Sequence, residues 1–493
     1  MRPGHNPLLS ETNPSAEYDV CIVGSGPNGL AAAALLSDAG LSVCVIEAAD
    51  ELGGGLRSAE LTLPGFLHDV CSAAHPMGIL SPYLSTLPLA KHGLQWASPP
   101  ASVAHPLDDQ PAVLLQGSIE DTARDLGVDG PAYTRLLEPF VEKAPGLLND
   151  ALAPIGIPSQ PFTFARFGLL GLRSAVSLSR RFREPRARGL FAGCAGHSIL
   201  PLSSLLTGGL GLLFAVTGHV KPWPVAVGGS QQIAKALVGY LEGRVHFVTG
   251  QPVAQLSDLP SCRAVLFDTN PGQLASIARD SLPEAYRRKL GRYRYGPGVF
   301  KIDWALDGPI PWRDPRCLQA STVHVGGTLE EIAVAEAAVW RGEHPERPFM
   351  MVVQQSQFDR SRAPDRKHTG YAYIHVPSGS TLDQSTVMET QLERFAPGFR
   401  DLVLARHVMN TADYAQYNLN YIGGAITGGV ADIPQAFMRP VARLNPYATP
   451  NPHLYICSAA TPPGGGVHGM CGFHAARSVL KHISSLGRLP ITN

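Results

Sequence analysis

The sequence has no excess of charge of either sign. Lys+Arg and Asp+Glu number 40 each in 493 residues, so no basic field invites nucleic acid and no global charge selects an ionic substrate. Its eight cysteines include no C-x-x-C pair and no compact ligand spacing, which argues against a metal centre. They read instead as reduced core thiols of a cytoplasmic protein. The first residues lack the basic head and apolar stretch of a secretory signal, and 1–17 reads as a disordered tail. Only Ser198–His219 approaches a membrane span, and Pro201 with the Gly208-Gly209-x-Gly211 cluster argues against a single lipid-facing helix there. No G-x-S-x-G elbow or ordered Ser-His-Asp set supports a hydrolase. Charged residues make up only 16%, against roughly 25% in ordinary soluble domains, while glycine (51) and proline (43) are plentiful. That balance predicts a large apolar interior with many turns, divided at this length into two or three domains.

The strongest positive signal is at the start of the ordered chain. Tyr18–Val23 is a continuous β-rich run that passes directly into Gly24-Ser25-Gly26-Pro27-Asn28-Gly29, followed by an Ala/Leu-rich helix over Leu30–Leu36. In this G-x-G-x-x-G frame Gly24 allows the tight turn, Gly26 admits a pyrophosphate, and Gly29 lets helix and strand meet. The helix start presents backbone N–H groups and a positive dipole end to phosphate, so the loop needs no lysine. A second strand, Leu41–Ile46, ends at Glu47 and Ala48, about twenty residues beyond the loop, where a carboxylate accepts a ribose hydroxyl.

Two further glycine turns select FAD over NAD, bound non-covalently. Gly53-Gly54-Gly55-Leu56-Arg57 offers close backbone approach and one guanidinium, and Pro462–Gly466 precedes an Ala-rich helix over Gly469–Leu480. Between these ends Val225–Leu241 reads as a turn entering a helix, with strands at Val245–Val248, Val253–Leu256 and Ala264–Asp268. Gly298–Leu306, Phe349–Gln355 and Tyr371–Val376 read as strands of a sheet that floors a substrate cavity. Arg166, Arg173 and Arg180 recur every seven residues within Phe162–Leu190, which predicts one basic helical face. That face either lies on an anionic membrane surface as a peripheral contact or is a solvated face of a lid.

The segments YDVCIVGSGPNGLAAA, LGGGLRSAEL, PGFLHDVCSAAHP, GGSQQIAKAL and LYICSAATPPGGGVHGMCGFHAA together resemble the phytoene desaturase-like flavoproteins, in the branch typified by the pyridine nucleotide-disulfide oxidoreductase domain 2 proteins. The resemblance runs from about Tyr18 to Leu480 and is sharpest at its two ends. It implies an α/β fold: a discontinuous Rossmann-type FAD-binding domain (18–75, 224–290, 425–493) of the p-hydroxybenzoate hydroxylase and amine oxidase kind, with an inserted α+β substrate domain (76–223, 291–424) carrying a helical lid. It also implies that Val253 meets adenine through its backbone and that Gly464–Met470, including Gly465, Gly466, Val467 and Met470, lies along the flavin. Ser458 departs from the glycine usual in that pattern, and no Asp stands nearby for the ribityl chain, which leaves backbone groups or Thr461 to hold it.

The activity so implied is FAD-dependent desaturation of an apolar isoprenoid, polyene or polyketide-like substrate, with oxygen or a quinone as electron acceptor. Saturation or isomerisation on the same scaffold, amine oxidation, and flavin binding without turnover are the alternatives. His68, Asp69 and His75 follow the Arg57 segment and are the candidate catalytic groups, a histidine titrating near neutrality being a suitable base. The competing reading has Asp69 capping a turn and the histidines satisfying buried backbone groups. His468 and Cys471, in the flavin-side turn, read as structural.

Overall fold

Tyr18–Val23 is buried on both sides, as a central parallel strand must be: Val20 and Ile22 enter one hydrophobic core, Cys21 and Val23 another. In the computed structural model, which describes residues 17–485, this strand lies at the middle of a five-stranded parallel sheet. The order is Leu454–Ile456, Cys262–Phe267, Tyr18–Val23, Val43–Ile46, Val245–Val248. The expected N-terminal tail lies outside the described residues except for Glu17, whose N–H donates to Ser261 Oγ at 3.0 Å.

The helix after the glycine loop runs Pro27–Asp38, with proline in its first turn, where a missing N–H costs nothing. Ala31–Ala34 are wholly buried, and their small side chains let the helix Met470–Ser485 pack closely. At the closest approach a Cβ on Gly472 would lie 1.8 Å from the Asn28 carbonyl oxygen, so this contact is backbone against backbone. The first and last helices of the described residues therefore meet behind the loop.

A second, seven-stranded sheet has the order Val403–Met409, Gly298–Leu306, His368–Val376, Met350–Val353, Ala320–Val325, Ala101–His105, Val113–Gln116. Its register puts Thr322 opposite Val353 and Val353 opposite Tyr371, then His324 opposite Met351 and Met351 opposite Tyr373. Because side chains alternate along a strand, these six residues share one face. The opposite face carries Val323, Val325, Val352, Ala372 and Ile374 into a separate apolar core. Helices Gly130–Val141, Pro185–Gly196 and Thr207–Val220 cover the end of the sheet through Phe140, Phe191, Leu212 and Phe349.

Two sequence expectations need correction. The arginine repeat is not on one helix: the segment breaks into Pro161–Gly171, Ala175–Ser179 and Pro185–Gly196, because Gly171–Ser174 and Glu184-Pro185 interrupt it. Several of its arginines are engaged within the fold, Arg186 with Asp125 (2.9 Å) and Arg188 with Glu330. Val253–Leu256 is not a strand, since Asp258 Oδ2 accepts the N–H groups of Ala254 (2.9 Å) and Gln255 (3.0 Å) and turns the chain into a 3-10 turn. As the sequence indicated, Ser198–His219 is no single long helix: it overlaps the 14-residue helix Thr207–Val220, only about 21 Å long. Among the described residues no helix is long and apolar enough to cross a membrane. All eight cysteines are buried and free.

Candidate active site

The carboxyl ends of the parallel strands open into an elongated cavity of about 660 Å³, within the range of cofactor and substrate sites. One end is lined by Gly24, Ser25, Gly26, Pro27, Asn28, Glu47, Ala48, Arg57 and Val253. Glu47 accepts the Ser25 N–H and hydroxyl at Oε2 (2.9 and 2.6 Å) and the Ala49 N–H at Oε1 (3.0 Å). Arg57 Nη2 stands 3.5 Å from Glu47 and donates to the Glu51 carbonyl at 2.8 Å, with its guanidinium over the Tyr417 ring. The sequence left Arg57 open between pyrophosphate and flavin; these contacts place it beside Glu47.

Asp268, at the end of Cys262–Phe267, is the group that sequence reading missed. Its Oδ2 accepts the Gly29 N–H at 2.9 Å, and a Cβ on Gly26 would lie 2.6 Å from the same oxygen. Burial raises the Asp268 pKa to about 7; the Gly29 hydrogen bond opposes this, and the nearby Glu47 charge adds to it. The signal was available, since the residue after a buried parallel strand is where such sheets bind ligands.

The middle of the cavity is lined by Gly54, Gly55, Cys71–Gly78, Tyr421, Thr427, Ser458, Gly466 and Val467. Gly29, Leu56, Thr461, Gly465 and Met470 stand behind this wall. Leu56 and Met470 belong to the core, the Thr461 hydroxyl donates to the Ser458 carbonyl at 2.8 Å, and Gly465 abuts Thr427. His468 Nδ1 accepts the Met470 N–H (3.0 Å) and the Cys471 thiol points at backbone carbonyls, both structural arrangements.

Of the three candidate catalytic residues, only His75 reaches the cavity. Its Nε2 lies 2.8 Å from Ser230 Oγ, and the Ser230 hydroxyl already donates to the Ser72 carbonyl at 2.6 Å. Nε2 must therefore carry the proton, which leaves the Nδ1 lone pair without a protein partner. Burial, against a raising contribution from Asp69, lowers the His75 pKa to about 4, so the ring is neutral at pH 7 rather than poised there. Asp69 is not on the wall. It accepts the Ser58 hydroxyl (2.8 Å) and Ser230 N–H (2.7 Å) and pairs with buried Arg362 at 3.1 Å, itself bound to Asp359 at 2.8 Å. Burial opposes ionisation of Asp69, but Arg362 and these hydrogen bonds outweigh it and hold the carboxyl below its ordinary value. His68 is also off the wall: Nε2 meets Thr62 Oγ1 at 2.8 Å, and Nδ1 stands 3.6 Å from Asp303, the buried partner of Lys301.

The inner end is lined by His197, Phe214, Trp223, Thr322, Met351, Val353, Tyr371 and Tyr373. Sequence reading placed Tyr371 and Tyr373 on a sheet flooring a cavity, which is where they are; Trp223 and His197 carried no motif.

These residues fit FAD. Asn28 Oδ1, Thr269 Oγ1 and Asn420 Oδ1 belong to residues lining the nucleotide half and have no hydrogen-bond partner among the described residues, and Gly26 and Gly54 bring bare backbone to the same wall. The glycine loop and Arg57 would hold the pyrophosphate, Glu47 a ribose hydroxyl, and the backbone at Val253 the adenine. A pyrophosphate next to Asp268 favours its neutral form. FAD affinity is thus expected to be highest below pH 7 and to weaken roughly tenfold as Asp268 ionises, a repulsion of about 1.4 kcal/mol. Fluorescence titration of flavin-stripped protein from pH 6 to 8.5 checks this, and Asp268→Asn should flatten the profile.

Residues 22–85 match the family model of the NAD(P)-binding Rossmann-like domain. The chain is 25% identical over 558 aligned residues to pyridine nucleotide-disulfide oxidoreductase domain-containing protein 2 of Rattus norvegicus, covering 95% of this chain and 94% of that protein. Its fold is similar to that of an oxidoreductase from Methanosarcina mazei (TM-score 0.62, 16% identity, 94% and 100% of the two chains). It is also similar to cyclohexylamine oxidase from Brevibacterium oxydans IH-35A (TM-score 0.58, 15% identity, 96% and 100% covered). The glycine loop, the elongated cavity and these similarities together give the chain a Rossmann-type dinucleotide-binding fold similar to that of flavin-dependent oxidoreductases, with a site suited to FAD.

Proposed function

We propose that the chain is an FAD-dependent desaturase acting on a largely apolar molecule of isoprenoid, polyene or polyketide type. The observation that carries this reading is the inner wall, built from Phe214, Trp223, Met351, Val353, Tyr371 and Tyr373 with neither a carboxylate nor a cation on it. Bound FAD supplies the acceptor for the hydride lost from one substrate carbon, with oxygen or a quinone taking the electrons afterwards. The protein's part is to exclude water, hold the chain against the aromatic wall, and take the proton lost from the adjacent carbon. His75 Nδ1 is the group for that proton. Being neutral down to about pH 4, it is a weak base, and catalysis should show no acid limb near the ordinary histidine value. His75→Gln is expected to lower kcat about 100-fold with flavin content unchanged; an unaltered kcat would remove it from the mechanism.

The direct test is anaerobic mixing of purified protein with a panel of polyenes and isoprenoids, following loss of the oxidised flavin colour and identifying unsaturated products by mass. The second reading is amine oxidation, suggested by the amine oxidase in the fold comparison and by the edge-on pair Tyr371–Tyr373. Against it, Lys301 Nζ already stands 4.7 Å from the centre of the Tyr371 ring, so the cation-binding capacity of that ring is used. Bleaching by small amines and not by polyenes would decide for the amine.

A further inference from the structure

The inner wall is apolar, but it is not inert. Trp223 Nε1 and Thr322 Oγ1 belong to residues lining the cavity, both side chains are almost wholly buried, and neither atom has a hydrogen-bond partner among the described residues. The Tyr373 hydroxyl, on the same sheet face as Thr322, reaches only the Met351 sulfur at 2.9 Å, a weak acceptor. A buried donor without a partner costs about 1–3 kcal/mol, and two on one wall of a cavity, beside a third held only by a sulfur, call for something to receive them.

These groups are also held in place. The Ser321 hydroxyl donates to the Trp223 carbonyl at 2.7 Å, and the indole packs edge-on against Phe214 and His197, each at 5.4 Å. Thr322 is fixed by its register with Val353. The indole therefore cannot readily turn away to satisfy itself elsewhere, and Thr322 keeps its side chain on the same sheet face.

The chemistry of the missing partner follows from what the wall contains. An indole N–H only donates, so the partner accepts. His197 Nε2 and His324 Nε2 are 2.9 Å apart, and burial lowers the pKa of both rings, that of His197 to about 3, so this pair is neutral. The charged groups lining the cavity, Glu47, Arg57 and Asp268, are all at the nucleotide end. An anion would be buried here without a counter-charge, and an ammonium would find no acceptor charge, so the partner is uncharged.

Resting on the apolar-substrate reading above, we infer that the inner end recognises one uncharged oxygen acceptor, of ketone or ester carbonyl type, carried by the otherwise apolar substrate. Trp223 Nε1 and Thr322 Oγ1 donate to it. The substrate thus enters in one orientation, with its oxygen inward, and the position of that oxygen sets which carbons lie beside the cofactor wall.

The test uses the flavin-loaded protein and three small probes of one shape: 4-phenylbutan-2-one, butylbenzene and 4-phenylbutan-2-amine, with affinities read by equilibrium dialysis and mass spectrometry. The ketone is expected to bind at least about tenfold tighter than butylbenzene, and Trp223→Phe and Thr322→Val each to reduce that ratio to below about threefold while leaving flavin content unchanged. Thr322→Val keeps the shape of the side chain, so its result stands if Trp223→Phe folds poorly. Binding of butylbenzene with no ketone preference overturns this inference but leaves the apolar-substrate reading intact. Binding of neither probe overturns both, and an amine that binds tighter than the ketone replaces them with the amine oxidase reading.

Discussion

Gly26→Val protein is expected to fold and to purify without flavin. Gly26 has φ −62°, a value any residue adopts, so the substitution strains no backbone. What it lacks is space. A Cβ there would lie 2.6 Å from Asp268 Oδ2, which is buried and hydrogen-bonded to Gly29 and so is not free to withdraw. The Gly26 backbone also faces Gly54, whose own Cβ would be 3.0 Å from Gly26 Cα. Further carbons at position 26 therefore push Asp268 and the Gly29 turn out of the arrangement that the loop presents to the pyrophosphate. Overpacking of about 3 kcal/mol weakens FAD binding by about 100-fold. The measurement is flavin absorbance per protein, followed by FAD titration, with circular dichroism to establish that the sheet is intact. Gly117→Ala is the control, since nothing lies within 4 Å of that position. A Gly26→Val protein with full flavin would remove the glycine loop from the cofactor site.

The second large effect separates structure from catalysis at Asp69. The Asp69–Arg362 pair is fully buried, so removing either partner leaves charge under-compensated in a dry site: Arg362 with Asp359 alone, or both carboxylates with no cation. Asp69→Ala and Arg362→Met are each expected to cost about 3–5 kcal/mol, read as a fall in the midpoint of urea unfolding. The double variant should cost less than the sum, by about 1–3 kcal/mol, because the second substitution removes the charge that the first exposed. If Asp69 were a catalytic base instead, Asp69→Asn would leave the unfolding midpoint near that of the parent and remove turnover.

These two sites show where the sequence was legible and where it was not. The strand Tyr18–Val23, its loop, its helix and Glu47 could be read because each step is local: burial on both faces, glycines at fixed offsets, and an acid at the next strand end. Asp268 was harder, since its role depends on Cys262–Phe267 pairing with Tyr18–Val23 across more than two hundred positions. Asp69 and His68 stand next to one another at the end of a glycine-rich segment, and their spacing alone could not separate an active-site pair from an ion-pair network. Arg362, the residue that decides the matter, is nearly three hundred positions away. The inner wall was the least legible part. Trp223, Thr322 and Tyr371 become one surface only through the strand order and register of the second sheet and the helices that close it. Periodicity found the strands Gly298–Leu306 and Tyr371–Val376, but nothing local reveals that their neighbours are Val403–Met409 and Met350–Val353.

The parallel sheet that holds the nucleotide is assembled from 18–46, 245–267 and 454–456, and the helix that backs the loop runs to Ser485. During synthesis the first strand and glycine loop are therefore made long before their partners exist. Contacts of such sequence separation are slow to form and leave the early β-rich segment exposed while the rest is translated. The cofactor site can close only when nearly all of the described chain has been made. Flavin is thus loaded late, and polypeptides halted before Leu454 are expected to remain colourless and to depend on chaperones for solubility.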